Sequence, residues 1–314
     1  MVNLSFNDTL AFEHYNLIKP IIEHRINTIL TNKGFKRGKK KNIDVTLSSD
    51  LERFLSLLKN NFGLKTLLTC RPNRMRRFIK NTLISNSSFY DSSTDDYRIL
   101  ENIFIGHGYN NKQFCKKDFI DFINVSTCPY CNRNYIFTLA KNQIIKPEID
   151  HFYPKTIYPF LGLSYYNLIP SCQTCNGVGG KHKDDTYKNK LVNPYEISND
   201  HFTFSYKLKL EKKNPLLNSS VDIFFSKKIE INDETFKLEA LYKKHDDHII
   251  ELIIKRKIKY SKRYIKYLMA YKGLNISNQE IDRMILGNYS QTDEIHKRPL
   301  AKLYQDIGKE LGLI

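Results

Sequence analysis

EIDHFYPKTIYPFLGLSYYNLIPSCQTCN, residues 148–176, is the stretch on which the reading of the fold turns. It ends in the pair Cys172-Gln173-Thr174-Cys175 plus Asn176, and a second pair, Cys128-Pro129-Tyr130-Cys131, lies 40 residues upstream of the first. A two-residue gap lets both thiolates of a pair reach one ion, and four sulfurs suit tetrahedral zinc. The string CPYC alone also matches the redox centre of glutaredoxins, but that chemistry needs a thioredoxin-like βαβ context and has no role for a second pair. A zinc deaminase would need an H-x-E before its P-C-x-x-C, which the chain lacks. The spacing therefore predicts a structural zinc on Cys128, Cys131, Cys172 and Cys175. Sparse, paired cysteines read as intracellular metal chemistry and not as a disulfide framework. Cys70 and Cys115 stand alone and read as buried small hydrophobes.

Around this stretch the chain is basic. Of 314 residues, 50 are Lys or Arg and 33 are Asp or Glu, a net charge of +17 that favours a polyanionic partner, nucleic acid first. A hydrophobic fraction of 41%, with 20 Tyr and 19 Phe, excludes a disordered basic tail. The opening MVNLSFNDTLAFEHYN has neither a basic nor an apolar leader region, and no later run reaches the ~20 apolar residues of a spanning helix. The expected location is the cytoplasm, with no membrane partner.

Three regions follow from the patterning: 1–110 helical, 111–195 a compact cysteine-bearing module, and 196–314 a β-hairpin followed by a long basic helical region. In the first, apolar residues recur three and four apart, as in Leu17, Ile18, Ile21, Ile22, Ile26, Ile29 and in Leu51, Phe54, Leu55, Leu58. The basic run 35–42 reads as a loop, 71–80 as a helix starting at Pro72, and the polar stretch 85–96 as a linker. In the third, Phe202, Phe204, Tyr206, Leu208 and Leu210, then Val221, Ile223 and Phe225, alternate as paired strands do, with Asn214, Pro215, Asn218 and Ser219 between them. From Phe236 to Leu268 helical spacing predicts one long helix or two, ending near Gly273. Its Lys- and Tyr-rich portion, 251–272, reads first as an aromatic stripe ringed by solvated lysines and second as a substrate channel. His245 and His248 read as a polar face or a contact with the central module, ahead of a second metal site.

The central stretch resembles the HNH, or ββα-metal, nucleases of the zinc-containing type. Their pattern is an Asp-His pair on a strand, an Asn-Leu in the following loop, and a CxxC followed by His or Asn. Asp150-His151, Asn167-Leu168 and Cys172–Cys175 with Asn176 supply all three in order. The resemblance implies an α+β protein whose zinc-stapled ββα-metal module is flanked by helical segments at both ends, acting as a metal-dependent endonuclease.

Each role has a physical basis. Phosphodiester hydrolysis needs a base to activate water and a divalent cation to neutralise developing charge. His151 is the natural base. Asp150 and Asn176 offer hard oxygen ligands suited to Mg²⁺ or Mn²⁺. Neighbours on a regular strand point to opposite faces, so Asp150 and His151 can share a site only where the strand ends, and Pro154 stands where such an ending is expected. Asn167 would orient His151 or brace the loop, as the resemblance implies, and Glu148 is a neighbour able to support the ligands. Taken singly, His151 could be a satisfied core histidine and Asn167 a turn residue. Together, in this order beside the knuckles, they read as a site. Gly177, Gly179 and Gly180 oppose a long helix after the second knuckle, and Lys181, Lys183 and Lys155 are candidate contacts to nucleic acid there.

The string 148–177 and the downstream FKLEALYKKHDDHIIELIIKRKIKYSKRYIKYL also resemble the HNH nuclease subunits of Septu-like bacterial antiphage defence systems. That resemblance implies an ABC-type ATPase as partner protein and a nucleic-acid substrate, DNA favoured and RNA possible. The rival reading is a zinc-containing nucleic-acid-binding or scaffold protein with no catalytic activity.

Overall fold

Asn7 opens the first long element. Its side chain accepts from the Leu10 amide, and α1 (Asp8–Asn32) then runs to Lys33, whose left-handed backbone ends it. Ala11, His14, Ile18, Ile22, Ile26 and Ile29 form its buried face at the helical spacing read from the sequence. The structure, a computed structural model, describes residues 1–38, 43–60, 63–139, 147–209, 220–260, 262–270 and 277–314.

The basic run 35–42 departs from its loop reading, because β1 (Gly34–Arg37) pairs antiparallel with β2 (Ile43–Thr46), with Phe35 opposite Val45. Residues 39–42 of that run lie outside the described residues. Next come α2 (Ser49–Lys59), capped by Ser48, α3 (Gly63–Thr69) and α4 (Pro72–Ser85), with Pro72 in the first turn as expected.

The polar stretch 85–96 is not a linker. It holds a 3₁₀ turn at Ser87–Tyr90, Phe89 is fully buried, and the Ser88 hydroxyl donates to Asp96, so its polar residues serve caps and turns against the core. Thr94 caps α5 (Asp95–Glu101), which passes directly into a π-helix, Asn102–Tyr109, before α6 (Lys116–Ile123).

The central region is built on a short antiparallel pair, β3 (Glu148–His151) and β4 (Leu168–Ser171), followed by a one-turn helix, α7 (Gln173–Asn176), that stops at Gly177. A longer hairpin follows, β5 (Thr203–Lys209) with β6 (Ser220–Lys227), whose register sets Phe204 opposite Phe225, Tyr206 opposite Ile223 and Leu208 opposite Val221. Leu210, Asn214, Pro215, Asn218 and Ser219 lie outside the described residues.

The expected long helix is broken. It comprises α8 (Glu230–Phe236), α9 (Leu238–Tyr242), α10 (Asp246–Ile254), a π-helix at Lys255–Lys259 and α11 (Lys262–Ala270). Lys237 adopts φ 52° between the first two, and the Asp233 carboxylate accepts the Glu239 amide, so one helix is capped where its predecessor stops. The end near Gly273 lies outside the described residues. Part of the basic stretch faces inward: Arg256 donates to the Leu311 carbonyl at 2.9 Å and Lys255 to that of Leu286 at 3.4 Å, while Tyr264 and Tyr267 are exposed. The chain ends with α12 (Asn278–Leu286) and α13 (Ala301–Glu310), the latter packed on β5.

The result is a mixed α+β fold of helices and small sheets. One contiguous apolar cluster links Ile18 and Leu55 to Phe104, Phe160 and Leu168, and on to Phe204, Tyr242 and Leu303. No helix among the described residues is long and apolar enough to cross a membrane.

Candidate active site and metal centre

The first cysteine pair sits in a tight turn. The Asn132 amide donates to the Cys128 carbonyl at 2.8 Å, and Asn132 itself takes the left-handed backbone conformation, φ 51°, that Asn tolerates. The second pair sits on the first turn of α7, where the amides of Cys175 and Asn176 both donate to the Cys172 carbonyl. The fold brings the two turns together: all four Sγ atoms are buried and lie within 4.8 Å of one another. Cys131 and Cys172 Sγ are 3.9 Å apart. Zinc–sulfur bonds of ~2.3 Å in a tetrahedron place sulfurs roughly 3.8 Å apart, so the cage is the right size for zinc.

Two N–H groups point at these sulfurs, the Arg133 amide at Cys131 (3.4 Å) and Asn134 Nδ2 at Cys172 (3.3 Å), as suits thiolates. Burial pushes the Cys128 thiol up while its bond to Cys131 holds that thiol down. Four such neighbours can all ionise only around a shared cation. The donor set therefore could hold a metal such as zinc. Cys70 is buried as expected, whereas Cys115 is only partly so.

The knuckle is also anchored to the far end of the chain. Asn132 Nδ2 donates to Thr127 Oγ1 and to the Ile295 carbonyl, both at 2.9 Å, and the Asn132 carbonyl accepts the Leu300 amide. Arg133 donates to His245 Nε2 at 3.1 Å, and His248 Nδ1 lies 2.6 Å from the Tyr304 hydroxyl. The two histidines thus contact the central module and α13. Among the described residues, only the four cysteines form a cluster of three or more metal-ligating His, Cys, Asp or Glu side chains.

β3 carries Asp150 and ends at His151. Asp150 is buried and doubly held: the Tyr130 hydroxyl donates to Oδ2 at 2.5 Å and the Lys181 ammonium lies 2.9 Å from Oδ1. Lys181 also donates to the His151 carbonyl at 2.9 Å. Expected beside a phosphate, Lys181 is instead 1% exposed and turned inward. Lys183, two residues on, is exposed.

His151 Nε2 lies 3.0 Å from the Gly162 carbonyl. A carbonyl only accepts, so Nε2 carries the proton and Nδ1 keeps the lone pair. Burial, with the ammonium groups of Lys155, Lys181 and Lys116 adding to it, holds the imidazole well below its ordinary pKa and therefore neutral. Its ring stands edge-on to Tyr109, centroids 4.5 Å apart.

Asn167 has its partners in the loop. Oδ1 accepts the Tyr153 amide at 2.7 Å, and Nδ2 donates to the Leu161 and Tyr153 carbonyls at 2.9 and 3.2 Å. Of the two roles expected, these are the contacts of a brace. Asn176 Nδ2 donates to Glu148 Oε2 at 2.7 Å, joining α7 to the start of β3. Lys155 is half-buried, with Nζ 4.9 Å from the Tyr109 ring centre.

Tyr130, Tyr109, Lys116 and Gly162 were not singled out in the sequence. The first is a spacer between the two thiolates of CPYC, and the others reach the site only through tertiary packing of the N-terminal region and the β3–β4 loop.

No family model matches the chain, and no solved structure matches it. A curated protein that does is the Septu protein PtuB of Bacillus thuringiensis, 42% identical over 64 residues, which is 20% of this chain and 24% of that protein. The match thus spans about a quarter of the relative's length.

Proposed function

We propose that the chain is a metal-dependent endonuclease of the HNH kind, hydrolysing phosphodiester bonds in nucleic acid, with DNA favoured, as the cytoplasmic effector of a Septu-like antiphage defence system. The observation that carries this reading is a strand ending on a buried carboxylate and a neutral, oriented imidazole, paired through β4 with the helix that bears the second cysteine pair and Asn176. The partial likeness to a Septu protein supports the defence relationship. An ABC-type ATPase as partner belongs to the same reading.

In this chemistry His151 accepts a proton from water at Nδ1, its ring fixed by the Gly162 carbonyl. Asn167 keeps the loop that presents that carbonyl rigid through its bond to Leu161. Asp150 and Asn176 would hold the Mg²⁺ or Mn²⁺, with Glu148 at hydrogen-bond distance from Asn176. When bound, the ion neutralises charge on the phosphate and the leaving oxygen. For Asp150 Oδ1 to serve as a ligand, Lys181 must give it up. That contact favours the second reading, a zinc-bearing nucleic-acid-binding or scaffold protein in which Asp150 is only half of a buried ion pair. Incubating the purified chain with duplex DNA, single-stranded DNA and transfer RNA in Mg²⁺, Mn²⁺ or EDTA separates the two. Metal-dependent cleavage is the expected result, and binding without cleavage under every condition supports the second reading.

A further inference from the structure

The basic run after α1 helps to build a cleft. The end of α1, the β1–β2 pair and the π-helix Asn102–Tyr109 border a space of about 930 Å³, room for a nucleotide-sized ligand, with Arg25, Phe35, Arg37, Asn102 and His107 among its walls. Arg25 is the unusual group there. Its side chain is half-buried, its Nε donates to Asn102 Oδ1 at 2.7 Å, and its guanidinium carbon lies 5.5 Å from the centre of the Phe35 ring. Among the described residues no carboxylate pairs with it, and its two Nη groups make no hydrogen bond. Burial draws its pKa down, and its charge in turn lowers that of His107.

The acids around the cleft each have another cation. Asp44 pairs with Lys36 at 3.5 Å, Glu52 with Lys33, and Asp95, which accepts from Thr46, with Arg98 at 2.9 Å. Arg37 is exposed and makes no ion pair among the described residues. Once these pairs are set against each other, Arg25 and Arg37 remain as two guanidinium charges lining one cleft. An arginine held by an amide oxygen and a ring, and given no carboxylate, keeps a planar fork that matches two oxygens of one anion. Two such groups favour a phosphate, whose oxygens can take both, over a single carboxylate.

We propose that Arg25 and Arg37 make this cleft a phosphate-binding site separate from the His151 site, taking either a backbone phosphate of a nucleic-acid strand or the phosphates of a free nucleotide. The proposal does not rest on the nuclease reading, since neither His151 nor a cysteine lines the cleft. The two places share the π-helix, which gives Asn102 and His107 to the cleft and ends at Tyr109, against the imidazole. The N-terminal region thereby gains a binding role that its helical patterning does not announce.

The test measures binding by the full-length chain, without Mg²⁺ or Mn²⁺, of two kinds of probe: labelled duplex DNA, single-stranded DNA and transfer RNA in one arm, inorganic pyrophosphate and a nucleoside triphosphate in the other. Arg37→Gln and Arg25→Gln should each weaken whichever probe binds by several-fold. In the nucleic-acid arm each should also lower the slope of log K against log salt by roughly 0.7–0.9. Arg25→Lys keeps the charge and loses the fork, so it should hold the slope while losing affinity, which a merely structural Arg25 would not require. Because Arg37 is exposed, its variant keeps the test open should Arg25→Gln fail to fold. Arg77→Gln removes an exposed charge on α4 outside the cleft and should leave pyrophosphate or triphosphate binding unchanged. Loss confined to the first arm identifies a strand as the ligand, and loss confined to the second a free nucleotide. A wild-type chain that binds no probe overturns the site, as does wild-type affinity in folded Arg37→Gln or an equal loss of pyrophosphate binding in Arg77→Gln. Cleavage by the wild type is read separately in Mg²⁺, so loss of the nuclease reading leaves this result standing, and the reverse.

Discussion

The place of Asp150 and His151 at the end of a strand was legible in the sequence because Pro154 marks that end, and the cysteine cluster because the spacing within each pair is local. Their partners were not. Lys181 meets Asp150 across 31 positions and Tyr130 meets it across 20, and no periodicity encodes such a pairing. The lysine at 181 was read from its charge as a contact to nucleic acid, whereas a fully buried ammonium is tolerated only when paired and hydrogen-bonded, as it is here. This pair makes a sharp stability prediction. Lys181→Met leaves a buried carboxylate with a single hydroxyl donor and should lower unfolding free energy by about 3–5 kcal/mol, whereas Lys181→Met combined with Asp150→Leu should recover much of that loss. Denaturant melts of the two single variants and the double complete the cycle. Additive losses would mean that the two side chains do not interact.

Among the elements, the β5–β6 hairpin was readable because period-two alternation survives in both strands, and α1 because its apolar stripe keeps helical spacing. The broken C-terminal helix was not, since Lys237 gives no sequence signal for its left-handed backbone and the carboxylate that caps α9 comes from α8. The π-helix was equally hidden. Its Gly108 lies where a Cβ would meet Leu163 Cδ1 at 2.4 Å, and Gly162, whose carbonyl holds His151, lies where a Cβ would meet Ile105 Cδ1 at 2.1 Å. These two glycines let the π-helix press directly on the loop that orients the imidazole. Gly162→Ala should therefore destabilise by ~1–3 kcal/mol and reduce cleavage by displacing the carbonyl. Gly106→Ala, whose added Cβ would meet only the Glu101 carbonyl oxygen at an ordinary 3.9 Å, serves as the control and should leave both stability and cleavage near wild type. Equal effects at the two positions would contradict the close-approach account.

On the scale of the whole molecule, the cysteine-bearing module is not an island. The N-terminal helices, the β3–β4 region and the C-terminal helices share one apolar cluster, and the first knuckle is hydrogen-bonded to residues 295 and 300. Loss of the metal should consequently be felt everywhere. Cys128→Ser or Cys172→Ser is expected to remove the one zinc per chain and lower the melting temperature of the entire chain in a single transition, read by metal analysis and calorimetry. A metal-free wild type that melts normally would refute the zinc staple. Tight integration also shows in the helical segments, which bury apolar residues inside the chain, as Leu51, Leu55 and Leu58 do. The claim on which everything else depends is that this scaffold exists to cut nucleic acid with His151. The most direct measurement compares wild type and His151→Gln, both zinc-loaded and folded, for cleavage of duplex DNA, single-stranded DNA and transfer RNA in Mg²⁺ or Mn²⁺. The expected result is metal-dependent cleavage that falls ~10²–10⁴-fold in the variant with binding retained. Equal cleavage by both proteins would contradict it.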